Sequence, residues 1–165
     1  MEGVTDAVIH PDLNAIPLRT TEQPAYDQPF ELQLLHQDQA TGAEHYVVRY
    51  RPGTRARSHR HTAAHTIVVL DGHMTVDGQI LGPCGYAHHP GGTTMLHEPA
   101  GDEGCTFVLI FDAPFDLHLS DDTNTPLPVD ELTGANIEWH PAQGVSALRR
   151  STYSTPNSCS FARRP

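Results

Sequence analysis

Four histidines have the type and spacing of metal ligands. His59, His61 and His65 fall close together in the stretch from Gly53 to Gly72, GTRARSHRHTAAHTIVVLDG. Because alternate side chains of an extended segment share one face, these three imidazole rings can converge. A metal site on strands also needs a ligand from a distant segment, and His97 is our choice, since apolar residues precede it and a polar loop follows it. Imidazole is the commonest metal ligand in proteins, so the cluster predicts a bound ion.

The elements that position these histidines are predicted to be short β-strands. The clearest is His65 to Leu70, which alternates and ends at the turn signal Asp71-Gly72. Phe30 to His36, Ala43 to Arg51 and Cys105 to Asp112 are further candidates, whereas Gly85 to Thr94 is loop-like. The chain has 14 prolines and 13 glycines and no long amphipathic pattern. This combination predicts an all-β fold, either a closed barrel or a double sheet.

Composition limits the classes of function. A net charge of −10 argues against a nucleic-acid partner, which would need a basic face. No 18-residue apolar run is present, so no membrane span is predicted. The N-terminus lacks the apolar core of a signal peptide, and we therefore expect a cytoplasmic protein. All ten basic residues are arginine, which excludes Schiff-base chemistry on a lysine.

The length of 165 residues favours one domain. We expect an extended N-terminal arm over 1–20, a barrel over 21–140 and a flexible C-terminal tail over 141–165. Small barrels of this kind expose the edges of their sheets, so a homodimer is expected.

The histidine stretch resembles the first motif of the cupin family. That motif has a glycine, five residues, HxH, three or four residues, a glutamate, six residues and a glycine. Here Gly53, His59-x-His61, His65 and Gly72 follow the same spacing. The departure is His65, which stands where most metal-binding cupins have glutamate.

A second cupin motif is similar to the segment that begins at Gly85. Pro90-x-Gly92 follows it, but His97 comes two residues later than the pattern. His88 and His89 therefore remain rivals of His97 for the fourth ligand position.

The resemblance implies a cupin-type double-stranded β-helix, or jelly-roll barrel, with one divalent metal ion per chain on His59, His61, His65 and His97. Four neutral imidazoles would leave the full charge on the ion and make it a strong Lewis acid. Imidazole suits several metals; zinc is favoured, and Fe(II) or Ni(II) would also fit.

The implied activity is that of a metal-dependent enzyme acting on a poly-carbonyl or aromatic small molecule, free or carried by a partner. Cupins with histidine-only sites include zinc-dependent aromatic polyketide cyclases and iron-dependent dioxygenases, so the resemblance implies either activity. The lysine-free composition, typical of a GC-rich genome, favours the cyclase, with cyclisation through a metal-stabilised enolate and a place in antibiotic biosynthesis. The alternatives are an Fe(II)-dependent dioxygenase that cleaves a diketone or hydroxycarbonyl compound, a non-catalytic zinc sensor, and a metal-free sugar-binding or structural barrel.

Residues around the ion are predicted less directly. Tyr50 and His73 are the candidates for acid–base catalysis. Glu98 adjoins His97, but strand alternation puts it on the opposite face. The five arginines between positions 49 and 60 are expected to form a solvated rim rather than an anion-binding mouth. The apolar lining of the cavity is expected to include Tyr46 or Tyr50, Ile67, Val69, Met95 and alternating residues of Phe107 to Phe111.

Overall fold

The computed structural model describes residues 7–120, and nearly all regular structure within them is β-strand. One short 3-10 helix, Leu13–Ala15, precedes the strands. The strands are β1 (Arg19–Thr21), β2 (Phe30–Gln37), β3 (Glu44–Tyr50), β4 (His59–Arg60), β5 (His65–Gly72), β6 (Met74–Val76), β7 (Gln79–Leu81), β8 (Tyr86–His89), β9 (His97–Pro99), β10 (Cys105–Phe111) and β11 (His118–Leu119). The predicted all-β fold is therefore confirmed.

The largest sheet has six antiparallel strands in the order β1-β2-β3-β10-β5-β8. β10 lies at its centre, where Phe107 pairs with Val48 of β3 and Val69 of β5. Two smaller sheets accompany it, a three-stranded one in the order β7-β6-β9 and a two-stranded one of β11 and β4. β4, β5 and β9 begin at His59, His65 and His97, and His61 follows directly after β4.

The core is built from alternating side chains of β3, β5 and β10. In β5 the buried side chains are His65, Ile67 and Val69, whereas the intervening residues are only half-buried. Burying one aliphatic side chain of this kind contributes about 1.5–3 kcal/mol. The same alternation that stabilises the strand therefore turns His65 inward, against the packed core. The core members of the other two strands are Tyr46, Val48, Tyr50, Cys105, Phe107, Leu109 and Phe111.

The four strands predicted most clearly are present with small differences at their ends. The prediction of a loop over Gly85 to Thr94 is wrong in part, because Tyr86–His89 forms the edge strand β8. Its backbone pairs with β5, and this pairing outweighs the local glycines and proline. The predicted domain boundaries stay predictions: positions 1–6 of the arm, the end of the 21–140 barrel and the 141–165 tail lie outside the described residues.

Among the residues described, none forms a helix long and apolar enough to cross a membrane.

Candidate metal centre

His59, His61 and His97 form a buried cluster. One ring nitrogen of each residue lies within 4.8 Å of the corresponding nitrogens of the other two. The backbone explains how distant segments meet, because His59 and Met95 exchange two hydrogen bonds, of 3.0 and 2.8 Å. This bridge places the start of β9, and with it His97, beside β4. Three histidines in this arrangement can bind a metal ion.

The hydrogen bonds of His59 and His61 leave one nitrogen of each ring available to a metal. Nδ1 of His59 lies 2.7 Å from the carbonyl oxygen of Arg57, and Nδ1 of His61 is hydrogen-bonded to the carbonyl oxygen of Asp116. A carbonyl oxygen can only accept, so each Nδ1 carries the hydrogen and each Nε2 has a free lone pair. Such outer partners orient the ligand rings of metal sites.

His97 is oriented in the same way by a tyrosine. The hydroxyl of Tyr50 donates to the hydroxyl of Tyr26 at 2.7 Å and lies 3.1 Å from Nδ1 of His97. Because a hydroxyl has one hydrogen, Tyr50 can only accept from His97, and Nδ1 of His97 must be the donor. Nε2 of His97 is then unprotonated, like Nε2 of the other two histidines.

Unpartnered nitrogens in the interior support a metal at this point. Nε2 of His59 and both ring nitrogens of His65 are buried and have no hydrogen-bond partner among residues 7–120. Leaving buried polar atoms unpaired is costly, and bound metal ions are one of the ways such atoms are satisfied. The donor set and its burial therefore fit a metal ion that accepts imidazole ligands.

His65 lies beside the cluster but outside the group whose nitrogens lie within 4.8 Å of one another. Its ring centroid is 4.8 Å from that of His61 and 6.5 Å from that of His97. The structure therefore brings all four predicted ligands into one cluster, and the ring nitrogens of His59, His61 and His97 lie closest together.

The two rivals of His97 point in opposite directions from β8. His88 is exposed and lies 3.0 Å from the hydroxyl of Thr66. His89 is buried, stacks on the ring of His65 and lies 3.0 Å from Oδ2 of Asp77. Nδ1 of His89 is a further buried nitrogen without a partner among the described residues. His89 is therefore a fifth interior histidine at the site.

Burial keeps the histidine rings neutral. Burial, followed by the neighbouring His59, lowers the pKa of His61 to about 3. Burial and the nearby His89 lower the pKa of His65 to about 4. Burial also lowers the pKa of His59, and it lowers that of His97 well below the ordinary value. Neutral imidazoles are the form that binds metals, so the site does not need to lose protons first at neutral pH.

A mainly apolar cavity opens onto His61 and His97. The space inside it that is available to the centre of a water molecule is about 30 Å³. Of the predicted lining residues, Tyr46, Tyr50, Leu109 and Phe111 face it. Ile67, Val69, Met95 and Phe107 are buried but are not part of its lining. The wall also includes Gln23, Tyr26, Phe30, Leu32, Val48, Phe115 and Leu117.

The remaining predicted residues lie away from the cavity. His73 follows β5, and its ring lies close to Gly82, outside the cavity lining. Glu98 faces away from His97, as alternation predicted, and accepts hydrogen bonds from the Ala56 amide and from Arg55. Arg49 pairs with Glu31 at 3.8 Å and lines no part of the cavity.

Several residues at the site carry no signal in the sequence. Tyr26 lies in a proline-flanked segment without periodicity, and Asp77 belongs to a pair, Asp77-Gly78, that reads as a simple turn. The side-chain oxygen Oδ1 of Asp116 accepts a hydrogen bond from the Thr62 amide at 2.7 Å. The backbone carbonyl of Asp116 accepts one from Nδ1 of His61. Burial opposes ionisation of Asp116, but hydrogen bonds from Thr62 and His118 prevail and lower its pKa. A pattern search has no means of finding a backbone carbonyl that orients a ligand.

Comparison with known proteins gives one family and many similar folds. The family model of the ChrR Cupin-like domain matches residues 16–114. No curated protein matches the chain in sequence. The crystal structure of a putative acetylacetone dioxygenase from Methylibium petroleiphilum has a TM-score of 0.62 at 15% identity, over 78% of this chain and 91% of that one.

Two further structures have similar scores. An acetylacetone dioxygenase from Acinetobacter johnsonii gives a TM-score of 0.60 at 16% identity, over 78% of this chain and 87% of that one. The polyketide cyclase RemF from Streptomyces resistomycificus gives 0.60 at 16% identity, over 74% of this chain and 90% of that one. At such low identity these likenesses establish the fold alone.

Proposed function

Because the chain belongs to the cupin family described as the ChrR Cupin-like domain, we propose that it is a metal-dependent enzyme acting on a small enolisable carbonyl compound. Membership of the family also confirms the predicted jelly-roll barrel, which the similar solved structures share. The observation that carries the proposal is the apolar cavity, since it opens onto two members of the histidine cluster, His61 and His97.

One divalent ion per chain is proposed, held by Nε2 of His59, His61 and His97, with His65 as the fourth ligand. When bound, the ion would supply Lewis-acid stabilisation to the negative charge that develops on the oxygen of an enolising carbonyl substrate. The protein's own contribution is orientation and exclusion of water. The Arg57 and Asp116 carbonyls and the Tyr50 hydroxyl hold the three rings, while apolar side chains such as Leu109 and Phe111 keep the cavity dry.

The lining of the cavity suits a compact substrate with an apolar body and oxygen atoms at one end, because apolar side chains surround the space next to His61 and His97. Acetylacetone, the substrate in the names of two structures of similar fold, has that character. On this ground we place oxygen-dependent cleavage of a small diketone, with Fe(II), ahead of the zinc-dependent cyclisation that composition favoured. Cyclisation remains the second candidate, because it too begins from an enolate.

The test uses purified protein stripped of metal and reloaded with either zinc or Fe(II). Acetylacetone is the first probe, with oxygen uptake and loss of the diketone absorption as the measurements. Uptake of oxygen with Fe(II) alone supports cleavage. Consumption of a poly-carbonyl substrate with zinc and without oxygen supports cyclisation.

Controls separate the metal site from the rest of the barrel. His59→Ala should lose both bound metal and turnover, whereas His88→Ala, an exposed histidine on β8, should lose neither. Reversible zinc binding without turnover of any carbonyl compound would contradict an enzyme and favour the zinc sensor. Unchanged metal content in His59→Ala would remove the basis of the site.

We also propose a homodimer. In the described part of one chain, β1 and β8 each have a partner on one side only within the large sheet. Such open edges are commonly covered by a second subunit. Sedimentation at several protein concentrations measures the mass directly, and a monomer at all of them would contradict the proposal.

A further inference from the structure

Tyr26 places a hydroxyl group beside the candidate metal centre. It lies between β1 and β2, where a backbone bridge to Ala56 holds it. Its ring packs edge-on against Phe30 and at a tilt against Tyr50, with centroids 5.0 and 5.1 Å apart. Its hydroxyl oxygen lies 3.5 Å from each ring nitrogen of His97, and its side chain lines the cavity.

The hydrogen bonds around Tyr26 leave the hydrogen of its hydroxyl group without an acceptor among the described residues. Nδ1 of His97 gives its hydrogen to Tyr50, and Tyr50 gives its own to Tyr26. The chain of donors ends at Tyr26, whose hydrogen is uncommitted. Nδ1 of His97 cannot accept it, since it is protonated, and the lone pair on Nε2 is the one that would hold the ion.

The other tyrosines of the cavity do not have a hydrogen to spare. The hydroxyl of Tyr46 donates to Oε2 of Glu44 at 2.9 Å, and that of Tyr50 donates to Tyr26. Within residues 7–120, Tyr26 is therefore the cavity tyrosine whose hydrogen has no committed acceptor. A donor in a mainly apolar cavity costs free energy unless a ligand supplies the acceptor.

We propose that the Tyr26 hydroxyl donates a hydrogen bond to an oxygen atom of the ligand that occupies the cavity. This inference rests on the proposed function and deepens it by defining the ligand as a compound with a carbonyl, enolate or carboxylate oxygen next to the histidine cluster. Tyr50 is a positioning residue, because it aligns Tyr26 and His97 together. A ligand without an accepting oxygen would leave the Tyr26 donor unpaired and would therefore bind more weakly.

The experiment uses the full chain loaded with Co(II), whose visible absorption reports the surroundings of the ion. Acetate is the first probe, since it offers an accepting oxygen and needs no turnover. Tyr26→Phe should bind acetate about three- to tenfold more weakly than the unaltered protein. Its cobalt content and its absorption without acetate should stay the same. Tyr50→Phe should change the absorption even without acetate, because His97 loses its acceptor.

An unchanged acetate affinity in Tyr26→Phe would overturn the assignment, as would the absence of any acetate-dependent change in the unaltered protein. Tyr26→Met, a second variant without the hydroxyl, guards against a folding defect peculiar to phenylalanine. Tyr86→Phe is the matched control, since this tyrosine is exposed and outside the cavity. Thermal melts verify that each variant is folded.

Acetylacetone separates this assignment from the proposed function. If Tyr26→Phe weakens acetate binding but the unaltered protein converts no carbonyl compound, the proposed function fails and the role of Tyr26 stands. If the unaltered protein cleaves acetylacetone but Tyr26→Phe binds acetate normally, the role of Tyr26 fails alone.

Discussion

The ring of His89 stacks on the ring of His65, with centroids 4.9 Å apart and planes 17° from parallel. The two residues are directly paired across β5 and β8, so both side chains enter the interior from the same face. Nε2 of His89 is hydrogen-bonded to Oδ2 of Asp77. The other carboxylate oxygen of Asp77 accepts a hydrogen bond from the Leu96 amide at 2.9 Å. One carboxylate thus connects two parts of the site, the histidine pair and the residue that precedes His97.

Asp77→Asn should weaken metal binding without removing a ligand. Asparagine has one accepting oxygen where aspartate has two, so the Leu96 amide keeps its partner only if His89 changes to the tautomer that accepts from the asparagine amide. Asp77 contacts no proposed ligand directly, so the loss of affinity should stay below the roughly 10- to 100-fold given by direct partners of ligands. Zinc titration with a competing indicator measures the affinity. Asp102→Asn, an exposed acidic residue before β10, is the control, and equal effects of the two variants would contradict the link.

Zinc should stabilise the folded protein, and the gain should rise with the logarithm of the concentration of free metal. A ligand that binds only the native state adds about 2.7 kcal/mol to the free energy of unfolding when its free concentration is about 100 times its dissociation constant. His61→Ala should lose this gain because it removes one nitrogen of the closest group, whereas His88→Ala should keep it. Urea denaturation at several zinc concentrations provides the measurement. A zinc-dependent gain in His61→Ala equal to that of the unaltered protein would exclude His61 as a ligand.

The metal-free protein should lose stability as the pH falls below about 6.5. Burial lowers the pKa of His59, His61, His65 and His97 in the folded state, so the unfolded chain binds more protons over this range. Stability is then present above the unfolded pKa, about 6.5, and is lost towards the folded values. His61 and His65, whose folded pKa values are about 3 and about 4, should each cost about 1.4 kcal/mol between about pH 7.5 and pH 5.5. Urea denaturation with a chelator present tests this, and a flat profile would contradict the burial of neutral rings.

The fold and most of the cluster follow from patterns within single segments. The spacing of His59, His61 and His65 predicts convergence, because strand alternation decides which face each side chain takes. His97 was found from its flanking residues, but the Met95 bridge that brings it to His59 is a long-range backbone contact with no sequence signature. Tyr26 was missed for the same reason.

β8 was missed because its local sequence is misleading. The segment around Tyr86–His89 is rich in glycine and followed by proline, which favours a loop. Its strand conformation comes from pairing with β5, a partner about twenty residues away. The inward direction of His89 depends on that register, so the fifth histidine could not be assigned before the pairing was known.

Glu44→Gln should loosen the wall of the cavity and lower stability together. The buried carboxylate of Glu44 accepts three hydrogen bonds, from the Tyr46 hydroxyl, the Phe115 amide and the Gln37 side chain. Phe115 lines the cavity, and its neighbour Asp116 provides the carbonyl that orients His61. Glutamine can accept the Tyr46 and Phe115 bonds on its one oxygen, and the exposed Gln37 can turn its amide or bind water. The expected cost is therefore the extra strength that the charge gives these bonds, about 1 kcal/mol.

The same substitution should change the surroundings of a bound ion, since His61 loses part of the support for its orientation. Absorption of the Co(II)-loaded variant, measured beside its urea denaturation, reports both effects. Glu31→Gln is the matched control, because Glu31 is half-exposed and its contact with Arg49 is a long 3.8 Å, so the loss should stay below about 0.5 kcal/mol. A cobalt spectrum unchanged in a destabilised Glu44→Gln would show that Glu44 supports the barrel and not the orientation of His61.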